Sequence, residues 1–534
     1  MPDVLAATDF TNGYEAISAL VLLIVACLYL GVLANRAISK SAFLSGYFLG
    51  NRGLGAWALA LTATVQSGGT FLGYPSFVYT HGWVVLLWIG SYMMVPLTGF
   101  ALMGKRVGQL SRRSGAITVP DLFRARFDSP SVGVAASLLI IVFLMFTTIA
   151  QFKAGGVVLK SALPGVNPLE FVEGTDKWYY VGLAIFTLTV VVYTVVGGFL
   201  ASVWTDLFQS VLMAIGTVIL LFLALQHAGG LETATRASLE RLGPAYATGP
   251  GLPVDPGDPP FMTISMSVGA FLLWILAGAG NPAGIVRLMA SKSTATFRRS
   301  IVLLSVYNLM IYIPLAIVCI CARSVLPDLP KGHFDEVIPR MALYCSNDAP
   351  GGTFLAGLIL TAPFGAVMAS VSTFLVVIAS GLVHDVYQRI INPQASTHTL
   401  RMMTYFVTFL VGALALAANI RPVVHLQSLV VIAGSGIAST FLVPALMACY
   451  WRRATAAGTL TAMLTGAGTV LLMLVIGWMS TAPGKAAKPY LLLHMDPIIW
   501  GVLASAIAGI AVSLLTRPPA ESLVSKLFDA PAAP

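Results

Sequence analysis

The sequence predicts an all-α, polytopic membrane protein, and three observations carry that reading. Hydrophobic residues make up 57% of the 534-residue chain and charged residues only 10%, with a mean hydropathy of +0.87. A soluble domain carries about 25% charged residues. Apolar stretches near the ~20 residues that a bilayer requires recur along the whole length. Two of these stretches are interrupted at mid-depth by Gly- and Pro-rich breaks, five segments apart.

Thirteen spanning helices are expected, at about 14–34, 55–79, 82–104, 131–160, 178–196, 199–226, 261–289, 299–322, 352–383, 399–418, 424–449, 455–477 and 495–515. The first has no Lys or Arg before it and is followed by Arg36 and Lys40. It reads as a retained helix, since a cleaved signal peptide wants a basic leading region. An odd count puts the termini on opposite sides. The short basic loops "GKRVGQLSRR", "SKSTATFRR" and "WRR" then fall on one face, which the positive-inside rule assigns to the cytoplasm. The N-terminus is therefore expected outside and the C-terminus inside. Residues 1–518 are expected to form a single transmembrane domain and 519–534 a short cytoplasmic tail. The net charge of +9 reflects these loops and gives no reason to expect nucleic acid as a partner. Five scattered cysteines offer neither a disulfide framework nor a zinc spacing.

The second segment carries "SGGT", Ser67 to Thr70, and the seventh carries "GAGNPAG", Gly278 to Gly284. Gly68 and Gly69 remove the steric barrier to unwinding. Pro282 removes a hydrogen-bond donor from the ladder. The backbone groups freed by such a break are tolerated only where protein or a water-filled cavity satisfies them. One break alone could serve close helix packing. A matched pair at corresponding places, in segments 2–6 (about 55–226) and 7–11 (about 261–449), points instead to the binding site of a secondary transporter. Unwound carbonyls can hold Na⁺, and half-helix ends face a substrate's charged groups.

The ninth segment aligns Ala366, Ser370 and Thr373 at i, i+4 and i+7, with Ser372 beside them. Uncharged oxygens suit a hard cation. These hydroxyls could equally bond their own helix or a neighbour. Asp206 lies two turns inside the sixth segment, where a carboxylate needs a partner and a cation is the natural one. Lys153 in the fourth could pair with an acid, contact substrate or snorkel. Gly99 to Lys105 mimics a P-loop, but Arg106 stands where Ser/Thr should bind Mg²⁺ and no strand precedes it. Gly278-Ala-Gly280 lacks a βαβ unit. With no nucleotide site and no HExxH, GxSxG or transition-metal cluster, catalytic residues are not expected. Transport driven by an ion gradient, with no cofactor beyond Na⁺, is the expectation.

At these residues the chain resembles the sodium:solute symporter family along nearly its whole length. Sodium/pantothenate symporters are nearest in appearance and sodium/proline symporters next. The stretches that carry the resemblance are "FLSGYFLGNRGLGAWALALTATVQSGGTFLG", "VVYTVVGGFLASVWTDLFQSVLM", "NPAGIVRLMASKS" and "LTAPFGAVMASVSTFLVVIASGLVHDVYQ". The resemblance implies a leucine-transporter-type fold: two inverted five-helix repeats, one extra N-terminal helix and two extra C-terminal ones. It implies a principal sodium site at the carbonyls of Ala63, Gln66 and Ala366 and at positions 369 and 370. Position 369 is Ala where a hydroxyl is expected, and position 370 is Ser. A second sodium site falls on Asp206, Ser372 and Thr373, again with Ala369. Ser67, Gly68, Gly69 and Thr70 form one substrate wall, and Trp274, Gly278 and Pro282 the other. A family His is replaced by Ala283, and Arg287 matches a family basic position. The implied activity is Na⁺-coupled import of a small organic solute, a carboxylate such as pantothenate or an amino acid such as proline. A proton-coupled or uncoupled transporter and a non-transporting membrane sensor stay open. The expected partners are the solute, Na⁺ and the bilayer, with no obligatory protein partner.

Overall fold

The computed structural model describes residues 14–37, 43–63, 67–163, 177–253, 260–330, 332–421, 426–480 and 489–529. Among them the chain is helical, and strand pairing is limited to an isolated Leu54–Ser291 bridge. We label the helices used below α1 (Tyr14–Ala37), α2 (Ala56–Ala63), α3 (Gly69–Ser114), α4 (Val119–Phe127), α5 (Pro130–Ala162), α6 (Lys177–His227), α7 (Ile264–Gly280) and α8 (Pro282–Met289). They continue with α9 (Ala295–Val325), α10 (Gly352–Ile391), α11 (Thr397–Ala418), α12 (Leu426–Tyr450), α13 (Ala456–Ser480) and α14 (Pro497–Leu515).

Ten of these are long and apolar enough to cross a membrane, and eleven when α7 and α8 are joined across their 42° bend. The two longest, α3 and α6, turn within their length. A straight 51-residue helix such as α6 would run about 77 Å, over twice the ~30 Å hydrocarbon core. Both long helices turn at a glycine in the left-handed region, Gly82 in α3 (φ 80) and Gly198 in α6 (φ 54). A Cβ at Gly82 would sit 1.9 Å from the Tyr246 carbonyl oxygen, and one at Gly198 would sit 2.6 Å from the Tyr47 ring. Gly198 falls in the gap expected between segments five and six, and Gly82 is the first residue expected of segment three.

α10 is the axis of the fold. In its apolar window 94% of residues are buried, and it packs against α1, α5 and α6. The two broken segments are tied at their basic-loop ends. The Leu54 N–H donates to the Ala290 carbonyl (3.1 Å), and the Lys292 N–H donates to the Leu54 carbonyl (2.9 Å). Large apolar side chains such as Leu188, Phe222, Phe409, Ile507 and Trp478 stand exposed around the bundle, as lipid-facing positions do. The five cysteines are free and buried.

Two buried ion-pair clusters pin the end opposite the basic loops. Lys153 Nζ lies 2.9 Å from Asp335 Oδ2, which also accepts the Leu426 N–H at the start of α12 (3.3 Å). Lys153 is therefore an interhelix tie. Next to it, Glu336 takes Lys160 (3.4 Å), His333 Nδ1 (3.0 Å) and Arg340 Nε (2.9 Å). Burial alone would raise the Glu336 pKa, but the His333 hydrogen bond and the Arg340 and Lys160 charges outweigh it and hold the carboxyl well below its usual range. A depressed folded pKa adds stability that is complete above the unfolded value of about 4.3 and fades as pH falls through the folded one. Thermal unfolding in detergent should weaken from pH 5 to pH 3, and Glu336→Gln should flatten that slope. An unchanged slope in the variant would show that the cluster is not its source.

Candidate functional site

The site lies where the two breaks face each other. α2 ends at Ala63 and the chain resumes its turn at Ser67. The freed amides there find side-chain partners. The Gly68 N–H donates to Gln151 Oε1 of α5 (2.6 Å), and the Gly69 N–H donates to Ser67 Oγ (3.1 Å). The Ser67 N–H reaches Thr70 Oγ1 (3.3 Å), whose hydroxyl meets that of Tyr312 from α9 (3.1 Å). On the other side, Asn281 caps α8 by accepting the Ala283 N–H on Oδ1 (3.0 Å). These described amides are thus satisfied inside the protein, as hydrocarbon surroundings require.

Between them lies a cavity of about 140 Å³. Ser67 and Thr70 line it from the first break, and Trp274, Gly278 and Asn281 from the second. Tyr92 and Phe100 of α3, Thr147 of α5, Asn308 and Tyr312 of α9 and Phe374 of α10 complete its walls. Tyr92 is stacked between Trp274 (4.8 Å, 20°) and Tyr312 (4.2 Å, 22°), giving one face a continuous aromatic surface. Trp274 Nε1 is buried and has no hydrogen-bond partner. None of the lining residues carries a formal charge. Such a pocket binds a small solute through ring and alkyl contact, with hydroxyl, amide and indole groups fixing its orientation.

Of the expected substrate residues, Ser67, Thr70, Trp274 and Gly278 line this cavity. Gly68, Gly69 and Pro282 stand behind it. A Cβ on Gly68 would meet Ala154 at 2.6 Å, and one on Gly69 would meet Val430 at 3.3 Å. Pro282 is the buried first residue of α8. Sequence reasoning missed Tyr92, Thr147, Asn308, Tyr312 and Phe374. Asn308 and Tyr312, four apart on an otherwise apolar helix, were the available signal.

The expected ion ligands divide. Gln66 lies outside the described residues, and Ala63 closes α2 with its side chain undescribed. On α10, Ala366, Ala369 and Ser370 are buried, and Ser370 Oγ donates to the Ala366 carbonyl one turn back (3.0 Å), a bond within its own helix. The second set, Asp206, Ser372 and Thr373, does converge, and around Arg287. Arg287 Nη2 lies 2.6 Å from Asp206 Oδ2 and also donates to Thr373 Oγ1. Ser202, missed from sequence, bridges the group, 3.3 Å from Asp206 Oδ2, 2.9 Å from Ser372 Oγ and 3.2 Å from Thr373 Oγ1. The cation expected beside Asp206 is thus a guanidinium of this chain. Both partners are fully buried.

A family model described as the sodium:solute symporter family matches residues 47–466. The sodium/pantothenate symporter of Escherichia coli (strain K12) is 32% identical over 460 residues, covering 85% of this chain and 89% of that one. The osmoregulated proline transporter OpuE of Bacillus subtilis (strain 168) is 28% identical over 501 residues, covering 91% and 92%. A Na⁺-coupled sialic acid symporter, solved in a substrate-bound outward-open state, superposes with a TM-score of 0.72 at 19% identity, over 95% of this chain and 99% of that one. The last likeness bears out the all-α, leucine-transporter-type fold. The chain belongs to the sodium:solute symporter family, a family of multi-pass membrane transporters and not of enzymes.

Proposed function

We propose that the chain is a cell-membrane importer that couples the inward movement of Na⁺ to that of a small organic solute by alternating access. The observation that carries this reading is the uncharged, aromatic-walled cavity held between two broken helices. The solute is a compact carboxylate or amino acid with an apolar body. Pantothenate and proline are the first candidates, because relatives over most of the chain's length are named for them. The breaks divide the chain into inverted repeats at about 55–226 and 261–449, with the N-terminus outside and residues 519–534 in the cytoplasm. Sodium bound between the first break and α10 holds the outward-facing state and favours solute capture. Its loss to a low-sodium cytoplasm releases the solute inward.

The deciding experiment is uptake of labelled pantothenate and of labelled proline into proteoliposomes, with and without an inward sodium gradient. Uptake of either that depends on the gradient supports the proposal. Uptake that follows a proton gradient, or neither gradient, would favour the proton-coupled or uncoupled reading, which Ala369 keeps in view by removing one hydroxyl from the expected sodium ligands. The same assay tests those ligands. Ser370→Ala should raise the sodium concentration for half-maximal uptake about fivefold to tenfold, the equivalent of one lost polar contact. Ala369→Ser should lower it in the same range. Unaltered sodium dependence in both would remove α10 from the ion site.

A further inference from the structure

The geometry points to a second, separate cation site at the basic-loop end of the molecule, a divalent transition-metal site formed by Asp121 of α4 and His384 and Asp385 of α10. The last turns of α10, Gly381–Ile391, have π-helical pitch, a local geometry that is frequent at functional sites. They set His384 and Asp385 against the first turn of α4, where Asp121 is held by the Thr118 cap (3.1 Å). One ligand atom from each of the three residues lies within 4.8 Å of the others. His384 is 5% exposed, Asp385 6% and Asp121 7%.

The outer contacts orient the three groups as a metal's second shell does. The Gln388 Oε1 amide oxygen is 2.7 Å from His384 Nδ1. An amide oxygen only accepts, so Nδ1 carries a proton, and the neutral imidazole that a metal requires would present its lone pair at Nε2. Thr118 Oγ1 donates to Asp385 Oδ1 (2.8 Å) and Arg389 to Asp121 Oδ1 (3.0 Å). Asp121 Oδ2 accepts the Ile117 N–H (3.3 Å) and keeps a further lone pair. His384 Nε2 and Asp385 Oδ2 are buried with no hydrogen-bond partner, and Nε2 lies 3.9 Å from Asp121 Oδ2. Unpaired buried polar atoms are costly, and with His384 neutral the two carboxylates exceed the single Arg389 guanidinium by one negative charge. A divalent ion removes both costs. Ligands about 2.1 Å from a tetrahedral metal stand ~3.4 Å apart, so rotation of the side chains by about an ångström closes the set. One imidazole and two carboxylates suit Zn²⁺, Mn²⁺ or Co²⁺ over Mg²⁺ or Ca²⁺, and leave coordination positions for water. An ion here would tie α4 to α10, the helix that carries Ala366, Ser370, Ser372 and Thr373.

The test uses tag-free, chelator-stripped full-length protein in detergent, titrated with ZnCl₂ and separately with CoCl₂. The expected results are saturable binding of one equivalent, a rise in unfolding temperature reversed by EDTA, and visible Co²⁺ absorption. His384→Ala and Asp385→Asn should each weaken binding at least tenfold. Gln388→Ala should weaken it by about tenfold through loss of the tautomer's anchor, without itself removing a ligand. No saturable binding by the unaltered protein would overturn the proposal and leave a histidine–carboxylate ion pair. Binding that survives in both ligand variants would also overturn it, by placing the metal elsewhere.

Discussion

Asp206→Ala is expected to destabilise the protein by about 3–5 kcal/mol, the usual cost of leaving one member of a buried ion pair alone. Arg287 is fully buried, and its strongest contact is Asp206 Oδ2 at 2.6 Å. The other groups around the guanidinium, Thr373 Oγ1 and Ser202 Oγ, are neutral hydroxyls. They can accept a hydrogen bond but cannot balance the charge. A nearby aromatic ring, Phe199 at 5.8 Å, adds a weak cation–π contact. Loss of the carboxylate therefore leaves a cation in the middle of the bundle, where helices α6, α8 and α10 meet. Unfolding followed in detergent against the unaltered protein measures the effect. The double variant Asp206→Leu, Arg287→Met removes both charges and should recover most of the stability while transport stays impaired. If Asp206→Ala unfolds within about 1 kcal/mol of the unaltered protein, the pair is not the anchor it looks like. The same result would favour a mobile Arg287 that yields Asp206 to a sodium ion during the cycle.

How much of this arrangement the residues disclose in advance depends on the range of the physics involved. The second break was legible because Pro282 acts on its own helix, and a disrupted ladder is a local event; at the first, Gly68 and Gly69 are helical, so these two glycines did not mark the unwound turn. The face of α10 was legible because period 3.6 places Ala366, Ser370 and Thr373 together. The turns at Gly82 and Gly198 were foreseen as boundaries between segments, since each falls at or beside an expected gap. The pairing of Asp206 with Arg287 was not legible. It joins residues 81 apart, and pattern along one helix says nothing about which neighbour it meets. Tyr92 lies in a largely apolar run, and only the stack on Trp274 and Tyr312 gives it meaning. Gln151 is invisible for the same reason, since its role is to receive an amide from a break 83 residues earlier. The Asp121–His384–Asp385 cluster matched no metal spacing because its ligands come from two distant helices.

Gly68→Ala is expected to reduce solute uptake by about fivefold to 150-fold, with little change in the protein's insertion into membranes. The backbone at Gly68 is right-handed helical (φ −56, ψ −29), so alanine meets no conformational barrier there. The objection is space. The added Cβ would lie 2.6 Å from the Ala154 Cβ, 3.0 Å from Gln151 Oε1 and 3.3 Å from Val367 Cγ2. Ala154 is a short side chain fixed to α5 and cannot rotate away, so either α5 or the first break must move. Overpacking of this kind costs about 1–3 kcal/mol, and each 1.4 kcal/mol is tenfold in an equilibrium. The movement falls on the hydrogen bond from the Gly68 N–H to Gln151 Oε1, and on Ser67 and Thr70, which line the cavity one residue before and two after. Ala154→Gly should therefore rescue Gly68→Ala by removing the opposing Cβ, and should do little alone. Uptake in the three variants, measured at equal amounts of inserted protein, decides the matter. A Gly68→Ala protein as active as the unaltered one, or a defect that Ala154→Gly leaves untouched, would show that close approach of α5 to the break does not set the geometry of the cavity.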